Sequence, residues 1–270
     1  MHMGLEETAT ALRALSLRAI HSARSGHPGG SLSVADILTV LYFEVMRVKP
    51  DDPDWIDRDR LILSKGHACP ALYAALAMKG YFSEEHVLGL RHIDSDMEGH
   101  PDFRIAGIDA PSGSLGMGLS QGLGMAMGGR YQNKDFRTHV ILGDGDLQEG
   151  NTWEAIMAAG HHKMDSLVAI YDANKLQGDA PVKVQLDLGD VAAKVAQFGW
   201  HTIDVDGHDI SALKAAFDEA KATKGKPTFM VADTIKGKGV SFMEGELFWH
   251  GSVTMSDQQL EDALKELGND

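Results

Sequence analysis

At 270 residues and 43% apolar content, the chain is long enough to bury a sizeable core, and its composition is that of an ordinary globular protein. Its 39 acidic against 25 basic residues, a net charge of −14, repel phosphate backbones and anionic lipid, which argues against nucleic-acid and membrane partners and means that any bound phosphate is gripped locally. A single cysteine, Cys69, excludes an internal disulfide framework, and no basic region followed by an apolar stretch opens the chain, so a cytoplasmic location is expected.

Leu5, Leu12, Leu15 and Ala19 or Ile20 fall at helical spacing and predict a first helix over 5–23, stopped by Ser25-Gly26-His27-Pro28-Gly29-Gly30. A second helix is expected to start near Ser33 and run through Leu41, before a polar Asp- and Pro-rich loop over 49–59. Residues 60–63 read as a short buried strand delivering Ser64-Lys65-Gly66-His67 to another helix, with Pro70 in its first turn. The uncharged run 110–129 has the length of a membrane span but holds seven glycines, and it reads instead as a Gly-rich loop entering a buried helix, with Met117, Met125 and Met127 as core.

From there the units alternate: strand 138–142, helix 149–162, strand 167–171, a loop through Pro181, helix 189–198, strand 200–205, helix 210–223 and strand 228–232. Ser256-Asp257-Gln258-Gln259 reads as a capping box opening a C-terminal helix. This alternation predicts an α/β fold with a mainly parallel sheet flanked by helices on both faces, and the absence of a linker or repeat predicts one domain over 1–270.

Gly143-Asp144-Gly145 ends one predicted strand and Asn174 follows the next, thirty residues after Asp144. Both lie at carboxyl ends of strands, where open α/β sheets bind ligands. Asp144 and Asn174 offer hard oxygen donors suited to Mg²⁺ shared with a phosphate, while Gly143 and Gly145 let backbone N–H groups approach phosphate oxygens. The series Gly116-x-Gly118-x-x-x-Gly122 misses the dinucleotide fingerprint and follows no clear strand, so a nicotinamide cofactor is discounted.

The Asp144 to Asn174 pair resembles the thiamine diphosphate signature, and the match extends through Glu149-Gly150, Trp153-Glu154-Ala155 and Asn174-Lys175-Leu176-Gln177. Four histidine settings narrow the resemblance to transketolases: Ser25-Gly26-His27-Pro28, Ser64-Lys65-Gly66-His67-Ala68, Glu98-Gly99-His100-Pro101 and Trp249-His250-Gly251. The resemblance implies thiamine diphosphate with Mg²⁺, or Ca²⁺ or Mn²⁺ as substitutes, held by Asp144, Asn174 and the Leu176 carbonyl. It also implies cofactor contacts from His67, Gly113, Ser114, Leu115, Gly145, Lys236 and His250. The implied reaction moves a two-carbon ketol unit from a ketose to an aldose, using His27, His67, His100 and His250; histidine, titrating near neutrality, both donates and accepts protons.

The resemblance covers only the diphosphate-binding domain of a transketolase. The glutamate that protonates the cofactor's pyrimidine, and the arginines that hold a sugar phosphate, belong in the family to the next domain. The chain is therefore expected to be one subunit of a split transketolase, paired with a C-terminal subunit in an α2β2 heterotetramer, with Glu149 and Glu154 at the interface. The competing readings are the alpha subunit of a 2-oxoacid dehydrogenase, a deoxyxylulose phosphate synthase and a catalytically silent binding subunit. The polyol-suited histidines disfavour the first two, and the intact metal pair disfavours the last. His208, in Asp206-Gly207-His208-Asp209, reads only as part of a turn with Asp209 as a helix cap.

Overall fold

The computed structural model describes residues 3–178 and 180–268. Helices α1 (Leu5–Ala23), α2 (Pro28–Ser33) and α3 (Ala35–Val40) lead into a π-helical turn, Leu41–Val45, and then to strand β1 (Arg60–Leu63). The second helix thus begins at Pro28, not Ser33, because Pro28 fits a first helical turn, and it breaks at Val34 before α3. A 3₁₀ turn at Gly66–Ala68 opens α4 (Cys69–Lys79), and the short α5 (Glu84–Val87) follows.

Next come α6 (Gly118–Tyr131), β2 (Thr138–Leu142), α7 (Gly150–His161) and β3 (Leu167–Ala173). The remainder is α8 (Val182–Gln185), α9 (Val191–Gln197), β4 (His201–Asp206), α10 (Ile210–Ala222), β5 (Thr228–Asp233) and α11 (Asp257–Glu266). Strand β3 runs two residues further than its apolar run, because Asp172 and Ala173 still pair with Ala232 and Asp233. The Ser256 capping box is present: its side chain accepts from Gln259 N, and Asp209 caps α10 in the same way through Ala212 N.

The strands form one parallel sheet in the order β1-β2-β3-β5-β4. Successive side chains point to opposite faces, so Ile141, Val168 and Ile170 join a core with α1, α3, α4 and α10, while Val140, Leu142 and Ala169 join one with α6, α7 and α9. Burial on both faces explains why these strands read as continuous apolar runs. A third cluster, including Leu17, Leu32, Trp249 and Met255, folds the segment after β5 back over α1 and α2.

The helix over the Gly-rich run is buried on one face only. Leu119, Gly122, Leu123 and Ala126 face the sheet, whereas Met117 and Met127 are 45% and 39% exposed, so neither is core. Met125 packs at the core's edge. Alternating small and apolar residues give α6 no polar stripe, which is why its outer face was not legible. Among the described residues no helix is long and apolar enough to cross a membrane.

Candidate active site

The carboxyl ends of β1, β2, β3 and β5 deliver their loops to one pole of the sheet, where Lys65, His67, Leu115, Asp144, Gly145, Asn174, Leu176, Gln177, Lys236 and His250 line a common cleft. Its base is a buried polar hub. Asp172, fully buried at the end of β3, forms an ion pair with Lys65 and accepts hydrogen bonds from Ser33 and Thr234 Oγ1. Burial works to raise the Asp172 pKa, but the Lys65 charge and these hydrogen bonds hold it below the usual carboxylate value.

Asn174 Nδ2 also donates to Asp172 Oδ2 at 3.3 Å, which fixes the amide so that Oδ1 is its acceptor, and that oxygen accepts from Leu176 N at 3.3 Å. Asp144 is gripped on one side only: Tyr171 Oη donates to Oδ1 at 2.5 Å, while the buried Oδ2 meets no protein partner. Burial pushes the Asp144 carboxyl up to about 6; the Tyr171 hydrogen bond opposes this and the neighbouring Asp172 charge adds to it. A carboxylate oxygen with no partner, an oriented amide oxygen and the Leu176 carbonyl make a hard-donor set that fits a divalent cation, which would reverse the upward shift.

Lys236 is 2% exposed and donates from Nζ to Leu176 O at 2.8 Å and His250 Nδ1 at 2.5 Å. It is therefore no solvated loop residue. Burial first, and then the Lys65 charge, lower its pKa to about 7, so an incoming anion would favour its charged form. Lys65 is paired with Asp172, which leaves Lys236 to supply the local cation that a phosphate ligand requires in a chain of net charge −14.

Three of the four predicted histidines meet beside the cleft. The rings of His27 and His67 are 5.1 Å apart, those of His67 and His250 5.3 Å, and those of His27 and His250 6.0 Å. Burial and neighbouring cations, Arg91 foremost for His27 and Lys236 for His250, lower them to about 4 and about 3; burial and Lys65 hold His67 well below its ordinary value. Burial and these cations thus favour the neutral ring, which has one N–H and one lone pair; at His250 the Nδ1 lone pair already accepts from Lys236. His100 is exposed on the rim, with its ring against Gly113, close enough for its charge to act on His27.

Of the expected Gly113, Ser114 and Leu115 contacts, only Leu115 lines the cleft; Ser114 is exposed at its edge. The Gly143 N–H donates to Asp146 Oδ2 at 2.9 Å and is not directed at a ligand, which corrects the pairing of Gly143 with Gly145. Glu149 and Glu154 are exposed at the start of α7. Sequence reasoning missed Lys65, Asp172 and Asp146. Asp146 accepts from Ser64 Oγ at 2.5 Å and Gly116 N at 2.8 Å, and so ties three loops together. The available signal was position: each lies within two residues of a quoted motif residue.

The family model for the transketolase thiamine diphosphate-binding domain matches residues 5–270. Human transketolase is 42% identical over 267 residues, covering 97% of this chain and 42% of the human protein. The 6-deoxy-6-sulfo-D-fructose transketolase subunit SqwG of a Clostridium species is 41% identical over 264 residues, covering 97% of this chain and 96% of that subunit. One subunit of the apulose-4-phosphate transketolase of Phocaeicola vulgatus is 40% identical over 248 residues, covering 92% of this chain and 88% of its own length. Among solved structures, the transketolase of Leishmania mexicana superposes with a TM-score of 0.94 at 34% identity over 100% of this chain and 42% of that one. The chain thus spans about two fifths of the animal transketolases it matches.

Proposed function

The chain belongs to the transketolase family, and on that premise we propose that it is the diphosphate-binding subunit of a split transketolase. With a second chain carrying the pyrimidine-binding domain, it transfers a two-carbon ketol unit from a ketose or ketose phosphate to an aldose. An α2β2 heterotetramer is the closed arrangement this reading favours, because family active sites form between chains. The similarity to two subunits of comparable length supports the split. The exposed Glu149 and Glu154 are available to an interface, and the lone buried Cys69 fits the cytoplasm.

The observation that carries the cofactor reading is the unpartnered Asp144 Oδ2 beside Asn174, Leu176 and Lys236. Asp144, Asn174 and the Leu176 carbonyl would hold Mg²⁺, with phosphate oxygens completing the shell, as Mg²⁺ prefers over an all-protein cage. Lys236, His67 and Gly145 would meet the diphosphate, and Gly113, Ser114 and Leu115 the rings. Thiamine diphosphate, when bound, supplies the electron sink for the carbanion of the two-carbon unit.

The chain's own residues handle protons and orientation. His27, and His250 through its Nε2–H since its Nδ1 accepts from Lys236, are placed to orient a donor sugar's carbonyl and hydroxyl and to exchange protons with them. His67, which lines the cleft with Asp144 and Asn174 and whose ring lies 5.1 Å from that of His27 and 5.3 Å from that of His250, would serve both cofactor and substrate. His100, on the rim, meets the C1 hydroxyl of the donor. The same polar cluster disfavours a 2-oxoacid substrate, which has no polyol to engage.

Titration calorimetry of thiamine diphosphate into the chain tests this reading. Binding is expected with Mg²⁺ and lost with chelator, and Asp144→Ala or Asn174→Ala should weaken it by one to two orders of magnitude, about the loss of a charge-assisted metal contact. Unchanged affinity in both variants would misplace the metal site.

A further inference from the structure

The Asp206-Gly207-His208-Asp209 turn between β4 and α10 does more than cap a helix. Gly207 N donates to Asp233 O at 2.8 Å, and a Cβ at Gly207 would lie 2.4 Å from Thr234 Cγ2, so only glycine lets the two segments run this close. Asp206 Oδ1 accepts from His208 N at 2.8 Å and fixes the turn. His208 then reaches across: its Nε2 accepts the Ile235 N–H at 2.8 Å. Because Nε2 is an acceptor there, the ring proton sits on Nδ1, which donates to Asp36 Oδ2 at 2.7 Å.

Asp36 is itself buried and doubly held, with Arg13 donating to Oδ1 at 3.1 Å and to Oδ2 at 2.5 Å. Burial works to raise its pKa, but the His208 hydrogen bond and the Arg13 charge keep it below the ordinary value, so it remains an acceptor. The chain of contacts runs from α1 through α3 and the 206–209 turn to Ile235, whose next residue is Lys236. None of its members lines the cleft.

We infer that His208, fixed in one tautomer by Asp36, is a positioning residue for Lys236, and that the 206–209 turn clamps the segment leaving β5 so that the lysine points at the Leu176 carbonyl and His250. The inference rests on the proposed cofactor site and assigns that site's cation a support. A buried lysine has four rotatable side-chain bonds, and its aim is set by where its backbone is anchored. Thr234 and Ile235, the two residues before Lys236, are anchored through Asp172 and His208, and on the far side Lys236 O accepts from Gly245 N at 2.9 Å and Gly237 N donates to Gly29 O at 2.9 Å. Ordering supplied in the free protein lowers the cost of binding, so loss of the clamp is read as lost affinity.

The test combines two variants of the full chain with two readouts. In His208→Ala the acceptor disappears; in His208→Gln the amide oxygen stands near the place of Nε2. Calorimetry with Mg²⁺ and thiamine diphosphate should show affinity falling about tenfold in the alanine variant, the scale of one lost buried hydrogen bond, and recovering most of that in the glutamine variant. A purely structural role would instead move affinity in step with melting temperature in both variants.

In the ligand-free chain, nitrogen-15 NMR should show scalar coupling across the Ile235 N–H to His208 Nε2 bond, absent in His208→Ala. Wild-type chain that binds no thiamine diphosphate even with the pyrimidine-domain chain present would overturn the proposed function, while the coupling still decides whether the clamp exists. Wild-type binding with equal affinity in His208→Ala, or no coupling in the wild type, would overturn the clamp.

Discussion

At the scale of single residues, division of labour follows from where each imidazole stands. His67 lines the cleft with Asp144 and Lys236, whereas His100 lies exposed on the rim against Gly113. His100→Ala should therefore leave thiamine diphosphate affinity within about twofold while lowering turnover of ketose donors by about 100-fold, the scale of one proton-transfer or orienting group. His67→Ala should reduce both. Steady-state kinetics of the assembled enzyme beside calorimetry separates the two effects, and equal loss of cofactor affinity in both variants would contradict the assignment. Each of the four histidines stands in a distinctive short motif, which is why the sequence singles them out. Lys65 and Asp172 were not legible: they lie 107 residues apart, and only the fold joins them into a buried pair. The downward pull on the pKa values of the three clustered rings was hidden for the same reason, since burial and the charges of Lys65, Lys236 and Arg91 are tertiary facts.

At the scale of elements, α6 shows how one helix obeys two rules. A Cβ at Gly122 would lie 2.4 Å from Val140 Cγ2 in the core under β2, whereas nothing lies within 4 Å of one at Gly124. Alanine improves helix propensity equally at both positions, so packing alone decides the difference. Gly124→Ala should stabilise the chain by about 0.5–1 kcal/mol, and Gly122→Ala should destabilise it by about 1–3 kcal/mol through overpacking. Urea unfolding of the two variants measures this, and equal midpoints would mean that α6 does not pack on β2 as described. The strands and most helices were readable within one or two residues because period and caps agree, as at Asp209 and Ser256. The break at Val34 was not readable, since every residue from Pro28 to Leu41 is buried and periodicity carries no signal there.

At the scale of the whole molecule, a parallel sheet gathers loops from four strands at one pole, and a strongly acidic chain concentrates two buried lysines there. On the proposed reading, these residues hold a metal-bound diphosphate. The resemblance to transketolases assigns the glutamate that activates the cofactor to another domain, so these residues anchor and orient without completing the reaction. On the proposed reading the cleft also needs a second surface to exclude water while the two-carbon unit is passed on. Titrating a purified chain that carries the transketolase pyrimidine-binding domain into this one, with Mg²⁺, thiamine diphosphate and a ketose–aldose pair, tests that central claim most directly. Ketol transfer should be undetectable at the start and rise to saturation near one-to-one stoichiometry; full activity from the rigorously purified chain alone would contradict it.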